Sequence, residues 1–180
     1  YEMEHMHSEP SIEFRKGRWI TEGELPNPNI SSKKYFLNSG SLSDNAHMSN
    51  KKMEITSPQN YGMSSGDITS FGLAGDIPLD CRADEGGALT FRSEILEKDL
   101  NILGQANLKV CVIADKEQAF ISAILVDESP DGDQALITRG FFNLMHRDSD
   151  VHPKAVILNK EMRIEILMQG VSWKLAKGHK

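Results

Sequence analysis

Apolar and polar residues alternate most strictly near the end of the chain, where Met162, Ile164, Ile166 and Met168 interleave with Arg163, Glu165, Leu167 and Gln169. A strand sends successive side chains to opposite faces, so this period of two predicts a ribbon with one buried and one wet face. Leu108, Val110 and Val112 interleave with Lys109, Cys111 and Ile113 in the same way. Phe120 to Val126 and Leu136 to Met145 are near-continuous apolar runs, which predict strands buried on both faces or central in a sheet. Ala88-Leu89-Thr90-Phe91 predicts a further strand. Ser129-Pro130-Asp131-Gly132-Asp133 holds turn residues in turn order and predicts an antiparallel hairpin. Many strands at short spacing predict an all-β sandwich.

The first half reads differently. Close to half of residues 21–80 are Ser, Asn, Gly or Pro, which favours turns and irregular backbone. Short strands are predicted at Ile12-Glu13-Phe14, Tyr35-Phe36-Leu37 and Lys52-Met53-Glu54-Ile55. Residues 1–10 read as a disordered or frayed tail, with His5 and His7 as tail or tag-like residues. Residues 11–180 then read as one sandwich domain, loop-rich over 11–86 and strand-rich over 87–180. One stretch breaks the β pattern. Residues 93–104 start on a cap residue, carry Leu96 and Leu100 one turn apart and end on Gly104, which predicts a short helix.

Composition narrows the partners. Lys plus Arg is 20 and Asp plus Glu is 26, a formal charge of −6 over 180 residues. An acidic chain lacks the basic face that nucleic-acid phosphates require. No run reaches the roughly 20 apolar residues of a membrane span. Cys81 and Cys111 stand alone, outside any C-x-x-C pair, and predict thiols in a reducing, cytoplasmic setting, a single bridge being the alternative. A chain that opens on Tyr1 rather than Met is expected to be a piece or a processed product.

Candidate chemistry is sparse. Gly62-Met63-Ser64-Ser65-Gly66 matches the G-x-S-x-G elbow of serine hydrolases. That elbow needs a buried strand before it and a helix after it. Ser57-Pro58-Gln59-Asn60-Tyr61 precedes Ser64 and a Gly-rich stretch follows, so a loop is the better reading than a nucleophile. His146-Arg147-Asp148 looks catalytic, but neighbours on a strand point to opposite faces, and a structural polar cluster fits better. Asp127, Asp131 and Asp133 lack the twelve-residue calcium-loop spacing and read as a solvated turn. No zinc-type Cys/His set is spelled out, and neither a metal nor a cofactor is predicted. Trp19 and Trp173 would anchor a core or an interface, or stack on a sugar.

Several segments together resemble the C-terminal β-sandwich domain of X-Pro dipeptidyl-peptidases and cocaine esterase-like (CocE/NonD) serine hydrolases. Residues 12–19 resemble the strand that leads out of the catalytic domain. Lys34-Tyr35-Phe36-Leu37 with Gly40-Ser41-Leu42 resembles the family's Y-x-L segment and G-x-L turn. Asp80-Cys81-Arg82-Ala83-Asp84 resembles D-Q-R-A-D, and residues 89–93 the strand after it. Asp99-Leu100-Asn101-Ile102-Leu103-Gly104 resembles D-L-E-I-x-G, residues 126–132 the V-D-V-x-P-D-G hairpin and residues 140–149 the G-x-L-N-L-T-H-R-x-S run. Cys81 stands where the family often has Gln, and Ser172-Trp173 where Ala-His is common. Gly178-His179-Lys180 falls where a G-H-[RK] segment starts a further strand, so if nothing follows, part of one sheet is missing.

The resemblance implies a jelly-roll-like sandwich of the galactose-binding type, and strand and loop in place of the helix at 93–104. It implies a non-catalytic domain that packs on an α/β-hydrolase domain holding the Ser, Asp and His. That partner would lie in the same chain or a separate one. Trp19, Tyr35, Phe36 and Phe71, with Ile20 and Leu25, are the interface candidates, and Asp80, Arg82, His146, Arg147 and Asp148 the structural polar cluster. An open sheet edge would let a second copy pair. Two other classes compete. A free-standing carbohydrate-binding module would show aromatics on a polar face, and an esterase would use Ser64.

Overall fold

A computed structural model describes residues 1–9, 13–24, 26–47, 52–67, 73 and 76–180. Among them the fold is all-β. The strands in chain order are β1 (Glu2–Glu4), β2 (Gly17–Arg18), β3 (Phe36–Leu37), β4 (Leu42–Ser43), β5 (Leu100–Ile113), β6 (Phe120–Glu128), β7 (Gln134–Asn143) and β8 (Glu161–Leu175). Short 3-10 turns occur at Met63–Ser65, Cys81–Gly87 and Leu144–His146. No helix among the described residues is long and apolar enough to cross a membrane. The chain divides into two compact units, residues 1–103, 126–136 and 172–180 in one and residues 104–125 and 137–171 in the other. Each of the four long strands has residues in both units.

The second unit is built on the alternation seen in the sequence. Met162, Ile164, Ile166 and Met168 of β8 are buried, and the residues between them are exposed. Met162, Ile164 and Ile166 join Leu144 and Val156 in a core flanked by Leu108, Val110 and Val112 of β5 and Ile121 and Ala123 of β6. β7 buries Ile137 to Gly140 without a break. β6 does not match the prediction of two buried faces. It alternates, and Phe120 is 76% exposed. Among the described residues its sheet holds β6 and β7, and every second residue over Phe120–Ile124 is exposed. Close approach fixes one residue here: a Cβ on Gly140 would lie 3.0 Å from the Leu167 carbonyl oxygen and 2.9 Å from Ile166 Cγ2.

In the first unit β1 pairs antiparallel with β2 (Glu2 with Arg18) and parallel with the end of β8 (Met3 with Trp173). The residues expected to be a tail therefore form an inner strand. Its buried Glu2 is satisfied by Arg18 Nε at 2.7 Å, which offsets the cost of desolvating the carboxylate. β3 and β4 form a two-residue ladder, with Ser41 bridging to Arg92. The strand predicted at 88–91 is irregular chain, the bridge falling one residue later at Arg92, and residues 52–55 are irregular and exposed. Ile12 lies outside the described residues, while Glu13 and Phe14 are exposed and irregular.

The helix expected from pattern at 93–104 is absent. Leu96 pairs its backbone with Gly178 and His179, and from Leu100 the chain is already β5. Tertiary pairing overrides the local cap signal. The 129–133 turn closes as predicted. Ser129 N donates to the Asp133 carbonyl at 2.9 Å and Gly132 adopts φ +86°. A five-residue link requires β6 and β7 to run antiparallel.

Candidate functional site

A cluster of ionisable side chains in the first unit surrounds this hairpin turn. Asp127, the last but one residue of β6, is fully buried. Its Oδ2 accepts from Trp173 Nε1 at 2.8 Å and its Oδ1 lies 2.7 Å from His179 Nδ1. His5, just past β1, adds its Nδ1 at 3.7 Å from the same Oδ1. Burial pushes the Asp127 carboxyl up, but His5, Trp173 and His179 outweigh it and hold the group below the usual carboxylate range. Burial likewise pulls His5 down, and contact with Asp127 and Asp133 more than reverses this, so His5 is raised from its ordinary value.

The other edge of His5 faces Asp133. His5 Nε2 and His7 Nδ1 each stand 3.1 Å from Asp133 Oδ2. An open cleft of about 460 Å³ borders the group and is lined by His5, His7, Glu9, Lys16, Ser129 and His179 among others. Ser129 Oγ is turned to Asp131 and to the Asp133 carbonyl rather than to an imidazole. The cluster thus offers ligand atoms and a charged relay but no activated hydroxyl.

The anticipated residues fall elsewhere. Ser64 sits in the one-turn 3-10 segment Met63–Ser65, its N–H donating to Asp84 Oδ2 at 3.0 Å. Irregular chain precedes it, so the strand–turn–helix setting of a nucleophile elbow is not there. Trp19 is 83% exposed and meets Tyr1 edge to face at 5.3 Å. Tyr35 and Phe36 are half-buried, with Lys33 and Lys34 ammonium groups 4.5 and 4.7 Å over their rings. Ile20 is half-buried, and Phe71 and Leu25 lie outside the described residues.

The polar cluster divides between the units. Asp80 caps the Cys81–Gly87 segment through Arg82 N at 3.0 Å and pairs with the Arg82 guanidinium. In the second unit Arg147 donates to the carbonyls of Leu144, Lys154 and Ala155 at 2.9–3.2 Å, a clamp on the loop after β7. His146 Nδ1 lies 3.0 Å from the Ser149 carbonyl, and Asp148 reaches Arg147 only at 3.9 Å.

His5 and His7 read from sequence as tail residues and His179 only as part of a Gly-His-Lys segment, none of them as a site. The signal was present in part. His5 and His7 are two apart, which on extended chain puts both rings on one face. Their partners Asp127 and Asp133 are more than 120 residues away, beyond any local motif.

Comparison with known proteins fits this picture. A family model described as the X-Pro dipeptidyl-peptidase C-terminal non-catalytic domain matches residues 2–180. An aminopeptidase from a marine sediment archaeon, Thaumarchaeota archaeon, superposes with TM-score 0.64 at 18% identity over 81% of this chain and 27% of its own. An alpha-amino acid ester hydrolase gives 0.62 at 18% identity, over 82% of this chain and 27% of its own. A CocE/NonD family hydrolase from Staphylococcus aureus gives 0.60 at 14% identity, over 94% of this chain and 30% of its own. The chain therefore spans under a third of the length of these structures, and at such identities the likeness is one of fold. No curated protein matches the sequence.

Proposed function

The chain belongs to the X-Pro dipeptidyl-peptidase C-terminal non-catalytic domain family, and from that premise we propose that it docks on an α/β-hydrolase domain and helps wall that domain's pocket. The parent activity is hydrolysis of ester or peptide bonds, with the Ser, His and Asp supplied by the partner. A wall of this kind excludes water from the reacting bond and shapes the pocket for its substrate.

The observation that carries the reading is Trp19. An indole 83% exposed, beside Tyr1 at 41% and close in sequence to Phe14 at 70%, is costly to leave in water. Interfaces concentrate their binding energy in such aromatic anchors. Tyr35 and Phe36, whose faces are covered by their own lysines, contribute less.

The test mixes the chain with a hydrolase domain of the same family supplied as a separate polypeptide. The expected result is co-elution on size exclusion, with Trp19→Ala weakening association by about 30-fold or more, as loss of an anchor worth about 2 kcal/mol implies. The isolated Trp19→Ala chain should keep its melting temperature. Hydrolysis of p-nitrophenyl esters by the chain alone, abolished by Ser64→Ala, would overturn the reading, as would equal association with and without Trp19.

A further inference from the structure

We propose that His5, His7 and Asp133 form a binding site for a divalent transition metal, zinc by preference, with Asp127 orienting His5 from behind. The site is independent of the docking role.

The geometry of the three ligand atoms carries the argument. His5, His7 and Asp133 each offer a ligand atom within 4.8 Å of the others, and His5 Nε2 and His7 Nδ1 both stand 3.1 Å from Asp133 Oδ2. Zinc bonds nitrogen and carboxylate oxygen at about 2.0–2.2 Å, which for tetrahedral angles separates ligand atoms by about 3.4 Å. Both nitrogen–oxygen separations are within a few tenths of an ångström of that spacing. Two imidazoles and one carboxylate suit zinc better than calcium or magnesium, which take oxygen sets.

The supporting contacts point the same way. His5 Nδ1 is buried without a hydrogen-bond partner, 3.7 Å from Asp127 Oδ1. Metal-bound histidines commonly turn their second ring nitrogen toward a carboxylate, which fixes the tautomer and the ring. Asp127 is itself held by Trp173 and His179. Asp133 is anchored through its carbonyl to Ser129 N at 2.9 Å. His7, 69% exposed, stands on the solvent side and leaves a fourth position open toward the cleft.

A second grouping, His5 with Asp127 and His179, is also compact. Its carboxylate also accepts a hydrogen bond from the buried Trp173 indole, which lies outside the grouping, and its Asp127 is fully buried where Asp133 borders the exposed His7. In the first grouping both nitrogens already face Asp133 Oδ2, while Arg82 and Asp131 stand at 3.9 and 3.7 Å from the other atoms, Asp133 Oδ1 and His7 Nε2.

The decisive measurement is calorimetric titration of zinc chloride into the chelator-treated chain near neutral pH, with cobalt absorption as a second readout. One zinc should bind per chain, and the melting temperature should rise on saturation. Because His7 is exposed, His7→Ala should fold as the parent does and lose at least about 10-fold in zinc affinity. Asp127→Asn should lose about 10- to 100-fold. Absence of binding at 100 µM metal, on the order of the weakest affinity useful to a resident ion, would overturn the site. So would unchanged affinity in His7→Ala, whether or not His179→Ala abolished binding.

Discussion

Trp173 and Asp127 lie 46 positions apart and form a sealed donor–acceptor pair, the indole Nε1 donating to Oδ2 at 2.8 Å with 1% and 0% of each residue exposed. A hydrogen bond to a buried charge is worth more than a neutral one, and removing the donor leaves the acceptor unpaid. Trp173→Phe keeps most of the ring and deletes the N–H. Urea unfolding should show a loss of about 2–3 kcal/mol. A loss below about 0.5 kcal/mol, the size of an ordinary surface change, would mean that the pair does not anchor this region.

Gly140 admits no side chain. A methyl group there would press on the Leu167 carbonyl and the Met168 Cα, at 3.0 and 3.2 Å. Neither is the movable end of a side chain, so Gly140→Ala should destabilise by about 1–3 kcal/mol. Gly23, with nothing within 4 Å of the added Cβ, is the control. Gly23→Ala should be neutral or slightly stabilising on the same denaturant titration.

The two thiols should react on different schedules. Cys81 is 2% exposed, and burial pushes its thiol up to about 11. Cys111 is exposed on β5. Since the thiolate is the nucleophile, a disulfide reagent at pH 7.5 should titrate one thiol in the native chain and two in denaturant. Rapid labelling of both without denaturant would contradict the burial of Cys81.

Arg92 joins Glu85 and Glu128, with its Nε 2.8 Å from Glu128 Oε2. The Arg92 hydrogen bond lowers Glu85, and for Glu128 the bonds from Arg92 and Lys180 overcome an upward push from burial. Both groups sit below their ordinary 4.5 in the folded chain. Lowered carboxylates contribute stability that is complete above the unfolded value and is lost as pH falls through the folded one. Melting temperature should therefore drop as pH is taken below about 4.5, and Arg92→Ala should flatten that acid limb. An identical limb in the variant would remove Arg92 as its cause.

How much of this the sequence discloses follows from how local each cause is. β8 and the 129–133 turn are legible because a period of two and the order Pro-Asp-Gly are properties of neighbouring residues, and β6 and β7 are legible as strands from their apolar runs, though the wet face of β6 is not. β5 is legible from Leu108 on, but its start at Leu100 lies within a stretch carrying helix-cap signals. That stretch pairs Leu96 with Gly178, a contact no window contains. β1 is hidden for the same reason. Glu2-Met3-Glu4 has little apolar character, and its partners are Arg18 and Trp173. The histidine cluster combines both problems, since only the His5–His7 spacing is local. The polar group at 146–148 is visible as chemistry, but its use as a carbonyl clamp appears only once the 154–155 backbone is folded under Arg147.

The alternation along β8 limits how this chain can change. Met162, Ile164, Ile166 and Met168 face inward only because the residues between them are single. One inserted or deleted residue would turn every later side chain through half a revolution, bringing Arg163 and Glu165 or their successors into the core. Length variation in this ribbon is therefore confined to steps of two, or to its ends.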